Sequence, residues 1–147
     1  MADLHPPLTH FPIALIITAC LFQAVLVFKR SWMSRSTPLL LLGLALVLTL
    51  AATQSGEDAA NLAQLETNIP EAVGTVIDQH GKYADVTVWG TIIIFFGWLW
   101  LFLKNPVDHR MDVAALLFLI LLSIAVGITG YLGGELVMTH GVGVGLQ

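Results

Sequence analysis

Apolar and polar positions fall in long blocks along the chain. Four apolar runs, residues 11–28, 38–53, 86–103 and 113–137, are separated by polar stretches. A helix of about 20 apolar residues crosses a hydrocarbon core of ~30 Å, so each run predicts a membrane-spanning helix. The second run is short for a span, but its helix extends past Ala60 in amphipathic form. Pro12 is expected in the first turn of helix one and Pro38 in the first turn of helix two, where a missing N–H costs little. The polar segment 57–85 has a pattern of its own. Val73, Val76, Ile77, His80 and Ala84 recur at helical spacing, while Asp78, Gln79, Lys82 and Asp85 take the other face. Helix three is therefore expected to start near Glu71, and helix two to run outward past Glu57 towards Leu65. The fold class expected is all-α: an integral membrane four-helix bundle, one domain over residues 1–147, protruding at one end.

Charge orients this bundle. Lys29, Arg30 and Arg35 lie between runs one and two, and Lys104 and Arg110 between runs three and four; only Lys82 falls elsewhere. Basic loops stay on the cytoplasmic side, so both termini are expected outside. Trp32, Trp98 and Trp100 are expected at the inner interface, where indole rings concentrate. Of the 147 residues, 56% are hydrophobic and 11% charged, against roughly a quarter charged in soluble domains. No basic segment followed by a small-residue cleavage site marks a removable signal peptide, and no basic tract suggests nucleic acid. The single cysteine, Cys20, excludes an intrachain disulfide and a cysteine-rich metal site, and reads as a small buried hydrophobe.

The exit of the fourth run changes character. Gly127, Gly130, Gly133 and Gly134 come close together, followed by Glu135 and His140. Glycines in a membrane helix let a second backbone or a flat ligand approach closely. If the helix continues, Gly130, Gly133, Val137 and His140 share one face. Ser55-Gly56-Glu57 ends run two much as Gly133-Gly134-Glu135 ends run four, and His10 precedes run one as His80 precedes run three. This suggests two related hairpins.

Four of the five histidines, His5, His10, His80 and His140, fall at the outer end; His109 falls at the inner one. Each alone has a plain structural reading: exposure near a terminus for His5, a hydrogen bond to the C-terminal turn for His10, a helix cap for His140. Together, with Glu57 and Glu135 at similar depth, they point to a cofactor or metal site, because neutral imidazole ligates metals and haem iron. A Cys-x-x-Cys-His motif is absent, which excludes covalent haem. A non-covalent haem b in a four-helix bundle needs two inward histidines on facing helices and small residues where the porphyrin passes. His80, Ala84, Thr87 and Thr91 supply such a stripe, and Gly130 and Gly133 another. His10 and His80 are the first choice of axial pair, His140 the substitute, and His5 a ligand of a second haem with it. The competitor is a bare copper, zinc or iron ion held by His10, His80 and His140 with a glutamate. No Glu-x-x-His pair suggests a di-iron site.

The segment His5-Pro6-Pro7-Leu8-Thr9-His10-Phe11-Pro12 resembles the opening of a bacterial family of four-helix membrane proteins known only as a domain of unknown function. The resemblance recurs at Ser55-Gly56-Glu57-Asp58, at His80, at Gly130-Tyr131-Leu132-Gly133-Gly134-Glu135 and at His140-Gly141-Val142-Gly143-Val144. It covers nearly the whole chain and implies a multi-pass protein of the bacterial inner membrane, with both termini then periplasmic. His5, His10, His80 and His140 match the family's histidines. Some relatives are joined to c-type cytochrome domains, which implies membrane redox work. The expected function is electron transfer by haem b near the outer face, with a periplasmic or membrane-tethered cytochrome as partner. A non-haem metal site, or a structural subunit of a larger redox complex, is the alternative. An electron carrier needs no nucleophile motif, and none is present, so a stand-alone enzyme is not expected. The apolar faces suit lipid or a homo-oligomer.

Overall fold

In the computed structural model, residues 5–64, 70–104 and 108–142 are described. They form α1 His5–Phe28, α2 Ser36–Gln64, α3 Glu71–Lys104 and α4 His109–Met138. Each is long and apolar enough to span a membrane. The helices are arranged as a square. α1 lies beside α2 and α4, α3 also lies beside α2 and α4, and α1 and α3 face each other across the diagonal. The starts of α1 and α3 and the ends of α2 and α4 meet at one end, here the terminal end. The opposite end carries the short basic connections and is called the basic end. α3, at 34 residues, is roughly 50 Å long at ~1.5 Å per residue. It exceeds the ~30 Å of a bilayer core, and it starts at Glu71, as the polar 57–85 pattern predicts.

Helix one begins at His5, not at His10. Pro6 and Pro7 occupy its first turn, where their missing N–H groups leave nothing unsatisfied. Pro12 therefore sits inside the helix, buried, where it removes the bond to the Leu8 carbonyl. α4 opens on Asp108, whose side chain accepts from the Arg110 N–H at 2.9 Å, as an N-cap does. It closes where Gly141 takes φ 65°, a left-handed turn that glycine adopts without strain. Beyond Met138 the Gly141 N–H returns to the Val137 carbonyl.

The two hairpins α1–α2 and α3–α4 repeat each other closely. The inward stripe of α1 is Pro12, Ile16, Ala19, Gln23 and Leu26. Measured from the histidines, its counterpart on α3 is Thr87, Thr91, Ile94, Trp98 and Leu101, of which the first, second and fourth are buried and the others half-buried. On α2 the buried Leu42, Ala45, Thr49, Ala52 and Ser55 answer to Leu119, Leu122, Val126, Thr129 and Leu132 on α4. The register differs from the one suggested by the glycine-glutamate matches. His5, not His10, is the counterpart of His80, and Gly56 answers to Gly133 rather than Gly134. Residue type had obscured this, because an apolar position is free to exchange Leu for Thr while its facing direction is kept.

The interior is divided in two. Towards the basic end Ile16, Leu39, Leu42, Ala45, Trp98, Ala115, Leu119 and Leu122 form an apolar core. Trp98 belongs to that core, whereas Trp32 and Trp100 are exposed at the basic end. There Lys29 and Lys104 stand over the Trp32 and Trp100 rings at 4.0 and 4.2 Å, a cation–π contact. Towards the terminal end the interior becomes hydroxyl-rich. Thr49, Thr87 and Thr91 are buried, and each returns its hydroxyl to the carbonyl one turn back, so these three donors are satisfied within their own helices. Leu40, Val47, Ile93, Phe96, Leu117 and Leu121 lie on the exterior, where lipid tails would cover them.

Candidate functional site

The hydroxyl-rich half leads to two histidines that meet across the diagonal. His5 and His80 have ring centroids 6.3 Å apart, with ring planes at 85°. Both lie on the inward stripes just described, at the outer end of each. His5 Nδ1 is 3.0 Å from the Ala52 carbonyl oxygen and 3.1 Å from Ser55 Oγ. His80 Nδ1 is 3.0 Å from the Thr129 carbonyl oxygen. A carbonyl only accepts, so Nδ1 carries the proton in both rings, and in the neutral form Nε2 keeps its lone pair.

Two glycines make the room. A Cβ on Gly56 would stand 2.8 Å from His5 Cε1, and a Cβ on Gly133 would stand 3.1 Å from His80 Cε1. Each glycine lies one turn beyond the carbonyl that holds the ring. The arrangement is therefore the same in both hairpins: a histidine from the first helix, a carbonyl and a glycine from the second. Gly56→Ala is expected to destabilise the protein by about 1–3 kcal/mol, the cost of overpacking, and more than Gly133→Ala, because its Cβ meets the ring closer. Thermal unfolding of the two variants in detergent checks this; equal stability of Gly56→Ala and wild type would contradict it.

The other expected site residues are placed differently. His10 is exposed, on the far side of α1, and its Nδ1 is 2.6 Å from the Pro6 carbonyl, a bond within its own helix. His140 lies past the end of α4 and is half-buried; no ring contact with His80 or His5 is formed by either. Gly130 packs against Ile13, whose Cδ1 would be 3.0 Å from an added Cβ, so it serves the α1–α4 approach. Gly133 packs against the His80 imidazole. Among the described residues no group of three or more His, Cys, Asp or Glu could hold a metal ion. Glu57 is exposed and Glu135 half-buried.

His5 was underrated because run one appeared to start at residue 11. The signal was available in the spacing. His5, Thr9, Pro12, Ile16 and Ala19 follow alternating steps of four and three, as His80, Ala84, Thr87, Thr91 and Ile94 do, and that is the spacing of a bundle's inner seam.

The basic end has its own polar cluster. Asp112, in the first turn of α4, is 3% exposed. Its Oδ2 accepts from Arg30 Nη2 at 2.8 Å and from Arg35 Nη2 at 2.5 Å. Its backbone carbonyl accepts from the buried Gln23 amide at 2.7 Å. Arg35 also donates to the Asp108 carbonyl. Arg35 stands as far before Leu42 as Asp112 stands before Leu119, so the ion pair joins counterpart positions of the two hairpins. A histidine pair closes the terminal end across one diagonal, and an arginine–aspartate pair closes the basic end across the other.

A family described as "Predicted membrane protein (DUF2231)" matches residues 2–146. No curated protein and no solved structure matches the chain.

Proposed function

The chain belongs to this family of membrane proteins, and from that premise we propose that it transfers electrons through a haem b held by His5 and His80 near one face of the bacterial inner membrane. The observation that carries the reading is the meeting of the His5 and His80 imidazoles across the diagonal, centroid to centroid at haem-ligand spacing. With metal–nitrogen bonds of about 2.0–2.1 Å and half a ring beyond each nitrogen, one metal between two opposed imidazoles sets their centroids roughly 6 Å apart. The His5 and His80 centroids are 6.3 Å apart. The donor set supports haem over a bare ion. Zinc, copper or iron alone needs three or more protein donors in most sites, and the described residues bring together two. A porphyrin supplies four nitrogens of its own and asks the protein only for the axial pair. The site's walls also suit a flat group: below the rings lie Ala52, Ala84, Thr87 and Thr129, all small.

Haem supplies a one-electron couple when bound. Everything else falls to the chain. The Ala52 and Thr129 carbonyls fix the tautomer and direction of the two rings, the role of outer partners of metal-bound histidines. The apolar core around Leu42 and Leu119 keeps water and protons from crossing. The position of the pair at the terminal end sets the face at which electrons enter and leave. The outer parts of α2 and α3 extend roughly 12 Å past the pair, and a periplasmic or tethered cytochrome is the proposed partner.

The test is the absorption spectrum of detergent-purified protein, oxidised and then reduced with dithionite, with haem and metal analysis alongside. A Soret band that sharpens on reduction, at about one haem per chain, is expected. Stoichiometric copper, zinc or iron without a Soret band would replace the haem with a metal ion, and neither would leave a structural subunit of a larger complex. Orientation is proposed from charge: Lys29, Arg30, Arg35, Lys104 and Arg110 lie in or beside the two short connections, which places the terminal end outside. A reporter fused after Gln147 is expected to be active only if it functions in the periplasm; activity of a cytoplasm-only reporter there would invert the site.

A further inference from the structure

The two hairpins treat their histidines alike in all but one contact. His5 and His80 each have a glycine against Cε1 and a carbonyl at 3.0 Å from Nδ1. His5 alone has a hydroxyl as well, Ser55 Oγ at 3.1 Å from Nδ1. Ser55 is 2% exposed, and its hydroxyl donates to the same Ala52 carbonyl at 2.8 Å. With its proton committed there, its oxygen is left to accept, and among the described residues the donor it meets is the imidazole N–H. The counterpart position on α4, also one residue before the glycine, is Leu132, which has no acceptor. Thr129 cannot substitute for it, because its hydroxyl donates to the Ala125 carbonyl and meets Thr87 Oγ at 3.1 Å.

We propose that Ser55 is the positioning residue that makes the two imidazoles of the site chemically unequal. Resting on the haem reading above, it makes His5 the stronger axial donor. A second acceptor on Nδ1–H draws the proton further from the ring and raises the basicity of Nε2. A more electron-rich ligand stabilises the oxidised iron and lowers the potential. Ser55 also ties the ring of His5 to α2 at two points rather than one, so the ring plane is fixed more firmly on this side of the site than on the His80 side. The asymmetry belongs to the protein itself and is present without any cofactor.

Two measurements test it. In protein free of haem and metal, labelled with nitrogen-15 histidine, Ser55→Ala is expected to shift the His5 Nδ1 resonance and leave that of His80 in place. In the haem-loaded protein, Ser55→Ala is expected to raise the midpoint potential, and Ser55→Thr, which keeps the hydroxyl, to restore it. Leu132→Ser carries the reciprocal test, since a hydroxyl there would reach His80 Nδ1 and is expected to lower the potential. A Ser55→Ala variant with an unmoved His5 resonance and an unmoved potential overturns the role of Ser55. Wild-type protein that takes up no haem overturns the haem reading instead, and the ring resonances then decide the asymmetry alone.

Discussion

Replacing His80 or His5 by alanine is expected to abolish the low-spin haem spectrum, while replacing His10 leaves it in place. Each of the two rings would provide one axial bond, and neither has a neighbour ready to take over. His10 is on the outer side of α1, bonded to its own helix through the Pro6 carbonyl. His140 lies beyond the last turn of α4. Loss of one axial imidazole would leave a five-coordinate, high-spin iron, and haem content after purification is expected to fall about 100-fold or more, beyond the 10–100-fold range seen when only an outer partner of a ligand is removed. Reduced-minus-oxidised spectra and haem quantitation on the three variants, with circular dichroism to confirm helix content, check this. A His10→Ala variant that loses the haem while His5→Ala keeps it would move the site to the outer side of α1.

The second large effect is expected at the opposite end. Asp112→Leu is expected to lower stability by about 2–4 kcal/mol. Breaking a buried ion pair by removing one partner costs about 3–5 kcal/mol, and the figure is reduced here because the Arg30 side chain remains 44% exposed and reaches water. Arg35, at 17%, is the partner left most poorly solvated. For that reason the double variant Arg35→Met with Asp112→Leu is expected to be more stable than Asp112→Leu alone. Thermal unfolding in detergent, followed as a double-mutant cycle, measures the coupling. Simple additivity would mean that the carboxylate acts only as a helix N-terminal charge. The proposed haem site lies at the far end of the bundle, so the spectrum of folded Asp112→Leu protein is expected to be unchanged.

Much of the architecture was legible because it depends on local pattern alone. Four apolar runs of spanning length, Pro38 at a helix start and the period of Val73, Ile77, His80 and Ala84 predict α1 to α4, and the long α3 in particular. Thr87 and Thr91 are buried on the stripe below His80 as the spacing requires. Other readings failed where residue type pointed one way and helix phase another. Trp98 was expected at the interface because indoles gather there, yet its phase puts it inward with Ile16 and Leu119. The glycines of α4 show the same dependence on phase: Gly133 makes room for the His80 ring and Gly130 for Ile13. The repeat was visible, but matching Gly56 to Gly134 by chemical likeness missed the register by one residue.

The sequence by itself determined how many helices there are, that each can span a membrane, and which end gathers the histidines. These follow from hydrophobic length, proline position and charge, all of which act within a few residues of one another. Which histidines meet was decided only by the tertiary structure. Packing sets the rotation of each helix about its axis, and a shift of one residue turns a side chain by roughly 100°. The phase of α1, extended back to His5 and locked by Ile16 and Ala19 against their neighbours, turns His5 towards His80 and leaves His10 outside. The partners of both rings, the Ala52 and Thr129 carbonyls and the space above Gly56 and Gly133, come from helices distant in sequence. A backbone carbonyl carries no mark of its role in the residue type, and so these contacts arise only when the four helices close.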